Sequence, residues 1–298
     1  MKGKKRAKKR PKVGVPSLFP ELPDQPVPGT ISQAIKGRVW TEQKAQLIAR
    51  YLRYFVFITK HGAYIDGFAS PKEEANPHTW AAKLVIESEP RWLRQFYLCD
   101  LPERAHHLRV LAETQPYVAK RTIEVFAGDF NQTVHDVLRS PLISGKTATF
   151  CLLDQFSTEC HWKTVQALAQ HKGAGFNKIE LFYFLAAGWT GRTLSGFKDD
   201  KVPAASWGKP DWQSLKRLSQ SKLALAFTDR FQNELGYRFV KAWPIFKEEG
   251  GRGRIMFFMI HASDHPQAAV LTSRAYENIV QPFESEEQLM LEFDLSVT

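Results

Sequence analysis

From residue 63 onward the chain alternates short apolar runs with amphipathic stretches, and this alternation constrains the fold more than any single residue does. The runs are AYIDG, RQFYLCD, TIEVFAGD, ATFCLLD and KIELFYFLAA. Stretches with helical apolar spacing separate them, at about residues 78–89, 103–115, 131–139 and 159–171. Apolar runs bounded by polar turns read as strands buried on both faces. Strands that alternate with helices build a parallel sheet through right-handed crossovers. Ahead of the first strand, Thr41 stands as the N-cap of a helix whose apolar stripe is Ile48, Tyr51, Leu52 and Phe55. Near the end, YRFVKAWPIF and RIMFFMIHAS flank the turn KEEGGRG and predict an antiparallel hairpin.

The expected class is therefore α/β, a Rossmann-like doubly wound, mostly parallel seven-stranded sheet with a C-terminal antiparallel hairpin. The segment at about 190–235, which contains DWQSLKRLSQSKLALAFTDRF, breaks the rhythm. It predicts a helical insertion or cap over the strand ends, carrying exposed basic and aromatic residues. A chain of 298 residues, 43% hydrophobic, is long enough for one large core. Residues 29–298 are read as a single domain with that insertion, and residues 1–28 as a basic tail and proline-rich linker.

Charge is concentrated in that tail. Of 41 Lys and Arg residues, eight lie in MKGKKRAKKRPK, which leaves 33 against 31 Asp and Glu in the remainder. Such a segment buries no surface, so it is expected to be disordered. It either attracts nucleic acid through counterion release or acts as a solubilising tail. Residues 13–28 hold five prolines and read as a linker. No apolar run is long enough to span a bilayer and no apolar stretch follows the basic N-terminus, so a cytoplasmic location without membrane contact is expected. Cys99, Cys151 and Cys160 lack C-x-x-C spacing and read as reduced core thiols.

Four successive strands end in aspartate: Asp66, Asp100, Asp129 and Asp154. In a doubly wound sheet these carboxyl ends share the edge where ligands bind. Gly67 lets the backbone approach a ligand, and Asp100, with Leu101 beside it, is placed to accept both ribose hydroxyls of a nucleoside. Asp129 is placed to accept from an adenine amino group, with Phe130 flanking the base. No G-x-x-x-x-G-K-[ST] and no dinucleotide glycine fingerprint is present, so a nucleoside without phosphates fits better. Histidine spacing matches no metal set, and none is expected. Cys160 and His161 read as a buried thiol beside a surface imidazole, and Trp162, Val165, Leu168 and Ala169 as a core stripe. His261, Asp264 and His265 read as a loop and helix cap, with a local polar cluster as the alternative.

The layout resembles that of class I S-adenosylmethionine-dependent methyltransferases. More specifically, YIDGFASP, FYLCDLPERAHHLRVL, FAGDFNQ and LLDQFSTECHWKTVQAL resemble the three-Cys-motif partner protein family, as does the preceding helix with Lys44 and Tyr51. The similarity covers about residues 40–190, more loosely the hairpin. It implies an S-adenosylmethionine site formed by Asp66, Gly67, Phe68, Ser70, Lys72, Asp100, Leu101, Asp129 and Phe130. It also implies a radical-enzyme partner with a three-cysteine motif.

Two departures bear on that site. Ser70 and Lys72 stand where the family's turn has glycine; a side chain there narrows the approach or needs a backbone angle costing of order 1 kcal/mol without glycine. Lys72 is expected to offset this by pairing with the cofactor's methionine carboxylate, while Phe68 anchors the loop beneath. The fourth strand ends in Asp154-Gln155-Phe156-Ser157, where amino methyltransferases acting on DNA carry an acidic-Pro-Pro-aromatic turn. Asp154 is the candidate catalytic residue, as hydrogen-bond acceptor or base. Three functions follow: a methyltransferase acting on nucleic acid or a nucleotide-derived substrate, a non-catalytic partner protein with a degenerate cofactor site, or, least favoured, a metal-dependent hydrolase.

Overall fold

The computed structural model describes residues 41–72, 76–186, 200–246 and 255–280. The basic tail and linker lie outside the described residues. Helix α1 (Thr41–Thr59) leads into β1 (Ala63–Asp66), followed by a 3-10 turn (Pro77–Thr79) and α2 (Ala81–Glu87). Then come β2 (Gln95–Asp100), α3 (Ala105–Glu113), β3 (Thr122–Ala127), α4 (Phe130–Leu138), β4 (Thr149–Leu153), α5 (Trp162–Gln170) and β5 (Glu180–Leu185). Helix α6 (Lys201–Trp207), a 3-10 segment (Trp212–Arg217) and α7 (Gln220–Asn233) form the helical insertion. The hairpin strands β6 (Phe239–Phe246) and β7 (Ile255–Ser263) and helix α8 (Pro266–Val280) close the described chain.

The seven strands form one sheet in the order β3-β2-β1-β4-β5-β7-β6. Strands β1 to β5 pair in parallel, and β7 pairs antiparallel with both β5 and β6. Side chains alternate between faces with the period of two that a strand imposes. Ile65, Tyr97, Cys99, Cys151, Leu153, Leu181 and Tyr183 join one core with residues of α4, α5 and α7. Tyr64, Phe96, Leu98, Phe150, Leu152, Phe182 and Phe184 join the other with residues of α1, α2, α3 and α8. All three cysteines are free and buried. Only β3 departs from the expectation of strands buried on both faces. It is partly exposed along its length because it is the sheet edge, flanked by β2 alone.

The insertion differs from its expected character. Trp207, Trp212, Phe227 and Phe231 are buried rather than exposed, because α7 lies against β6 and β7 and adds its aromatic face to the first core. Arg230 is 4% exposed, with its guanidinium 3.8 Å from the centre of the Trp162 ring and 4.3 Å from that of Trp207. Lys216 and Lys222 do remain in solvent.

The chain winds outward from β1 to β3, then returns to β4 on the other side of β1. The order thus reverses between β1 and β4, and an open sheet leaves a crevice at the carboxyl ends of strands where this happens. Asp66, the last residue of β1, pairs in register with Leu152 of β4 and lies on the rim of that crevice.

Candidate functional site

A cavity of about 700 Å³ opens at the carboxyl ends of β1 to β4. Its lining includes Gly67, Phe68, Ser70, Lys72, Asp100, Leu101, Asp129, Phe130 and Asp154, so eight of the nine expected cofactor residues and the expected catalytic residue converge on one space. Asp66 lies just behind, in a small void of about 20 Å³ shared with Lys44, Ser70, Lys72, Trp80 and Asp154. That void has room for about one water.

The turn after β1 is held from several sides. The Ser70 N–H donates to Asp100 Oδ2 at 2.8 Å, and the Ser70 hydroxyl donates to the Arg104 carbonyl at 3.1 Å. Arg104 in turn donates to the Pro71 carbonyl at 2.6 Å, and Trp80 Nε1 to that of Ala69 at 2.6 Å. Among the described residues only Lys60 and Lys120 combine a side chain with positive φ. Ser70 and Lys72 therefore carry none of the backbone strain that loss of glycine threatened. Gly67 is needed for a different reason: a Cβ there would stand 2.6 Å from the Phe130 ring. The Phe130 ring is 2% exposed and packs beneath the loop with Phe68, as wall rather than as an open stacking face.

Asp100 is 7% exposed and accepts the Leu101 N–H on Oδ1 at 2.8 Å as well as that of Ser70 on Oδ2. A carboxylate has about four lone-pair positions, so about two remain for a ligand. Asp129 caps α4, taking the Asn131 N–H at 2.9 Å and side-chain amide at 2.8 Å on Oδ1. Its Oδ2 has no hydrogen bond among the described residues. Asn131 ties this turn to the one after β4: it donates to the Glu159 carbonyl and accepts from the His161 N–H and the Thr164 hydroxyl.

Two ammonium groups, from opposite ends of the site, meet on Asp154. Lys44 Nζ is 2.6 Å from Oδ1, and Lys72 Nζ is 2.9 Å from Oδ2. Lys72 thus engages an internal carboxylate, where the expectation placed a ligand's. Burial alone would raise the Asp154 pKa, but the charges of Lys44 and Lys72 outweigh it and hold the carboxyl below its usual value. Lys44 is 6% exposed and also faces the rings of Phe184 and Phe257. Its pKa is brought down to about 7, chiefly by burial and further by Lys72, against the attraction of Asp154. Asp66 is pushed up to about 7, chiefly by burial, although the Tyr64 hydroxyl at 2.7 Å and the Phe68 N–H at 3.1 Å favour its charge.

The turn after β4 is built on Gln155, which stands where an acidic-Pro-Pro-aromatic turn would have its first proline. Its amide accepts the Cys160 N–H at 2.8 Å and donates to the Phe184 carbonyl at 3.3 Å. Phe156 then projects at the cavity rim, 60% exposed, near Leu101 at 44% and Val202 at 42%. Cys160 is fully buried while His161 lines the cavity, so the two form no nucleophile and base pair. Trp162, Val165, Leu168 and Ala169 are core. His261 and Asp264 do not cluster either: His261 bonds Glu180, whereas Asp264 pairs with Lys178 at 3.2 Å. His265 caps α8 through Gln267 N–H.

Several site residues had no role assigned from sequence. In the sequence Lys44 stands out only as part of the similar helix, Arg104, Asn131 and Glu159 only as members of the motif strings, and His161 only as a surface imidazole. Asn131 stands two residues after the Asp129 cap, in reach of its carboxylate, and that spacing is the signal the sequence carries.

No helix of the described residues is long and apolar enough to cross a membrane. No protein-family model and no curated protein matches the chain. The similarity to three-Cys-motif partner proteins therefore rests on the sequence motifs. Among solved structures, a provisionally assigned methyltransferase from Thermobifida fusca YX is similar at 16% identity over 67% of this chain, with a TM-score of 0.34. The chain spans 61% of that protein's length. Protein LPL1258 of Legionella pneumophila str. Philadelphia 1 is similar at 11% identity over 83% of this chain and 94% of its own, with a TM-score of 0.44.

Proposed function

We propose that the cavity at the carboxyl ends of β1 to β4 holds S-adenosylmethionine, and that the protein is a methyltransferase acting on nucleic acid or a nucleotide-derived acceptor. The observation that carries this reading is Asp100: two backbone N–H groups fix its carboxylate, and its remaining lone pairs face a cavity of nucleoside size. The charge of the wall supports it. The cavity is lined by Asp100, Asp129, Asp154 and Glu159 against Lys72 and Arg104, and both cations are already engaged by Asp154 and the Pro71 carbonyl. Such a wall suits a sulfonium nucleoside better than a phosphate ester.

When bound, S-adenosylmethionine supplies a methyl group made electrophilic by its sulfonium. In this reading Asp100 orients the ribose, and Asp129 Oδ2 accepts from the base. Asp154 acts as an anchor for Lys44 and Lys72 rather than as a base, since both of its oxygens carry an ammonium group and its pKa is lowered. Phe156 at the rim offers an incoming base a ring to stack on.

A second reading rests on the turn after β4. With Asp154 occupied by two lysines and Gln155 in a proline position, the chain is a partner protein that holds the nucleoside without turnover and serves a three-Cys-motif radical enzyme. Calorimetric titration with S-adenosylmethionine, followed by assay of methyl transfer from labelled cofactor to RNA and DNA, separates the two. Binding with transfer supports the methyltransferase, and binding without transfer supports the partner protein. Absence of binding overturns both.

A further inference from the structure

At the opposite edge of the sheet a second cavity, of about 420 Å³, opens between the last turn of α1, the segments entering β4 and β5, and the first turns of α8. Small-molecule sites occupy about 300–1,000 Å³. Phe55, Ile58, Phe176 and Leu271 supply apolar wall, and Lys172 and Glu180 supply buried charge. Lys172 is 8% exposed and Glu180 6%.

The two charged groups differ in what they lack. Glu180 already has three partners: the Tyr51 hydroxyl and, at 2.9 Å, His261 Nε2 meet Oε1, and the Ser263 hydroxyl donates to Oε2 at 2.8 Å. Lys172 donates to the Thr147 carbonyl and makes no other hydrogen bond or ion pair among the described residues. An ammonium has three N–H donors, so two are left over for water or a ligand in the cavity. A buried cation in that state is costly unless an acceptor reaches it. Burial has lowered its pKa to about 8, with Glu180 opposing, so the group still carries its charge at neutrality. The nearby Lys178 is already engaged by Asp264 and the Gly236 carbonyl. Lys172 is thus a cation with unfilled donors beside an apolar wall.

We propose that this second cavity binds a small monocarboxylic acid, its carboxylate on Lys172 and its apolar body between Phe55, Phe176 and Leu271. The site is independent of the cofactor reading, since it shares no lining residue with the first cavity. The alternative is that Lys172 only tethers the Thr147 carbonyl.

The test uses the full chain and two matched pairs of probes, 1-naphthylacetate with 1-naphthaleneethanol and octanoate with 1-octanol, titrated calorimetrically. At least one acid is expected to bind below about 1 mM, and at least about tenfold more tightly than its alcohol. Lys172→Met should abolish that preference while leaving the far-ultraviolet circular dichroism and the melting cooperativity unchanged. Phe176→Ala should weaken acid and alcohol alike and keep their ratio. Failure of both acids to bind, equal affinity for acid and alcohol, or a preference that survives Lys172→Met overturns the proposal. If Lys172→Met does not fold, the wild-type ratio together with Phe176→Ala still decides: a ratio of one, or an unchanged acid affinity in Phe176→Ala, overturns it.

Discussion

Lys72 reaches from the turn after β1 to Asp154 at the end of β4, and the 2.9 Å ion pair between them spans the crevice where the strand order reverses. The turn that carries Lys72 is thereby tied to the neighbouring strand as well as to Asp100 and Arg104. A loop held this way enters binding already ordered, which lowers the entropic cost of association. Replacing Ser70 and Lys72 together by glycine removes the ion pair and the Ser70 hydroxyl bond and frees the backbone. S-adenosylmethionine should then bind about five- to thirtyfold more weakly, a loss of about 1–2 kcal/mol. Calorimetry on the double variant checks this, and tenfold tighter binding would instead mark the natural turn as a degenerate cofactor loop.

Asp100 joins two functions in one carboxylate, so its removal should be felt in two measurements. Asp100→Ala should cost roughly 1.5–3 kcal/mol of cofactor affinity, the range for hydrogen bonds to a charged group. It should also release the Ser70 N–H, which donates to Oδ2 at 2.8 Å, so that amide should exchange faster with solvent. Unchanged affinity with faster exchange would confine Asp100 to holding the loop.

What was legible in the sequence was local. Each apolar run ending in aspartate became a strand delivering its carboxylate to one edge, because strand, turn and cap are set by neighbours a few residues apart. Two features are not legible from neighbours alone, for different reasons. Phe130 is expected to flank a base because it adjoins Asp129, and it does line the cavity. Phe130, Val134 and Val137 also recur at helical spacing and are all buried, so the same ring serves as core wall, which adjacency to Asp129 does not reveal. Lys44 was beyond reach, since it meets Asp154 across 110 positions and its own helix supplies no trace of the partner. The same holds for Glu180, an acid inside an apolar strand whose partners Tyr51, His261 and Ser263 come from α1 and β7. A lone charge inside a buried run signals that partners exist without naming them.

The basic tail lends itself to a test that does not depend on the cavity. If its eight basic residues hold nucleic acid, deleting residues 1–12 should weaken binding by a similar factor for every sequence tried. The slope of log affinity against log salt should fall by several units, at about 0.9 per phosphate released on a duplex. Fluorescence anisotropy with two unrelated duplexes and one single strand, at several salt concentrations, reads both quantities. An unchanged slope would leave the tail as a solubilising segment.

Asp66 makes the stability of the fold depend on pH in a direction unusual for a carboxylate. It is 1% exposed, and its pKa is pushed from 3.8 up to about 7, chiefly by burial, with Asp154 and Asp100 adding to the shift. A folded pKa above the unfolded one means that the native state binds the proton more tightly. The contribution is therefore fully present below about pH 4 and is lost as pH rises to about 7. At about 1.4 kcal/mol for each unit, the loss is on the order of 4 kcal/mol. Asparagine has the shape of the protonated acid and does not titrate in this range. Relative to wild type, Asp66→Asn should thus gain stability between about pH 4 and pH 7 and show no further gain above it. Urea unfolding of both proteins at about pH 4.5, 6 and 8 measures that difference directly. An offset between the two that does not change with pH would mean that Asp66 stays ionised in the native state, its charge held by the Tyr64 hydroxyl and the Phe68 N–H.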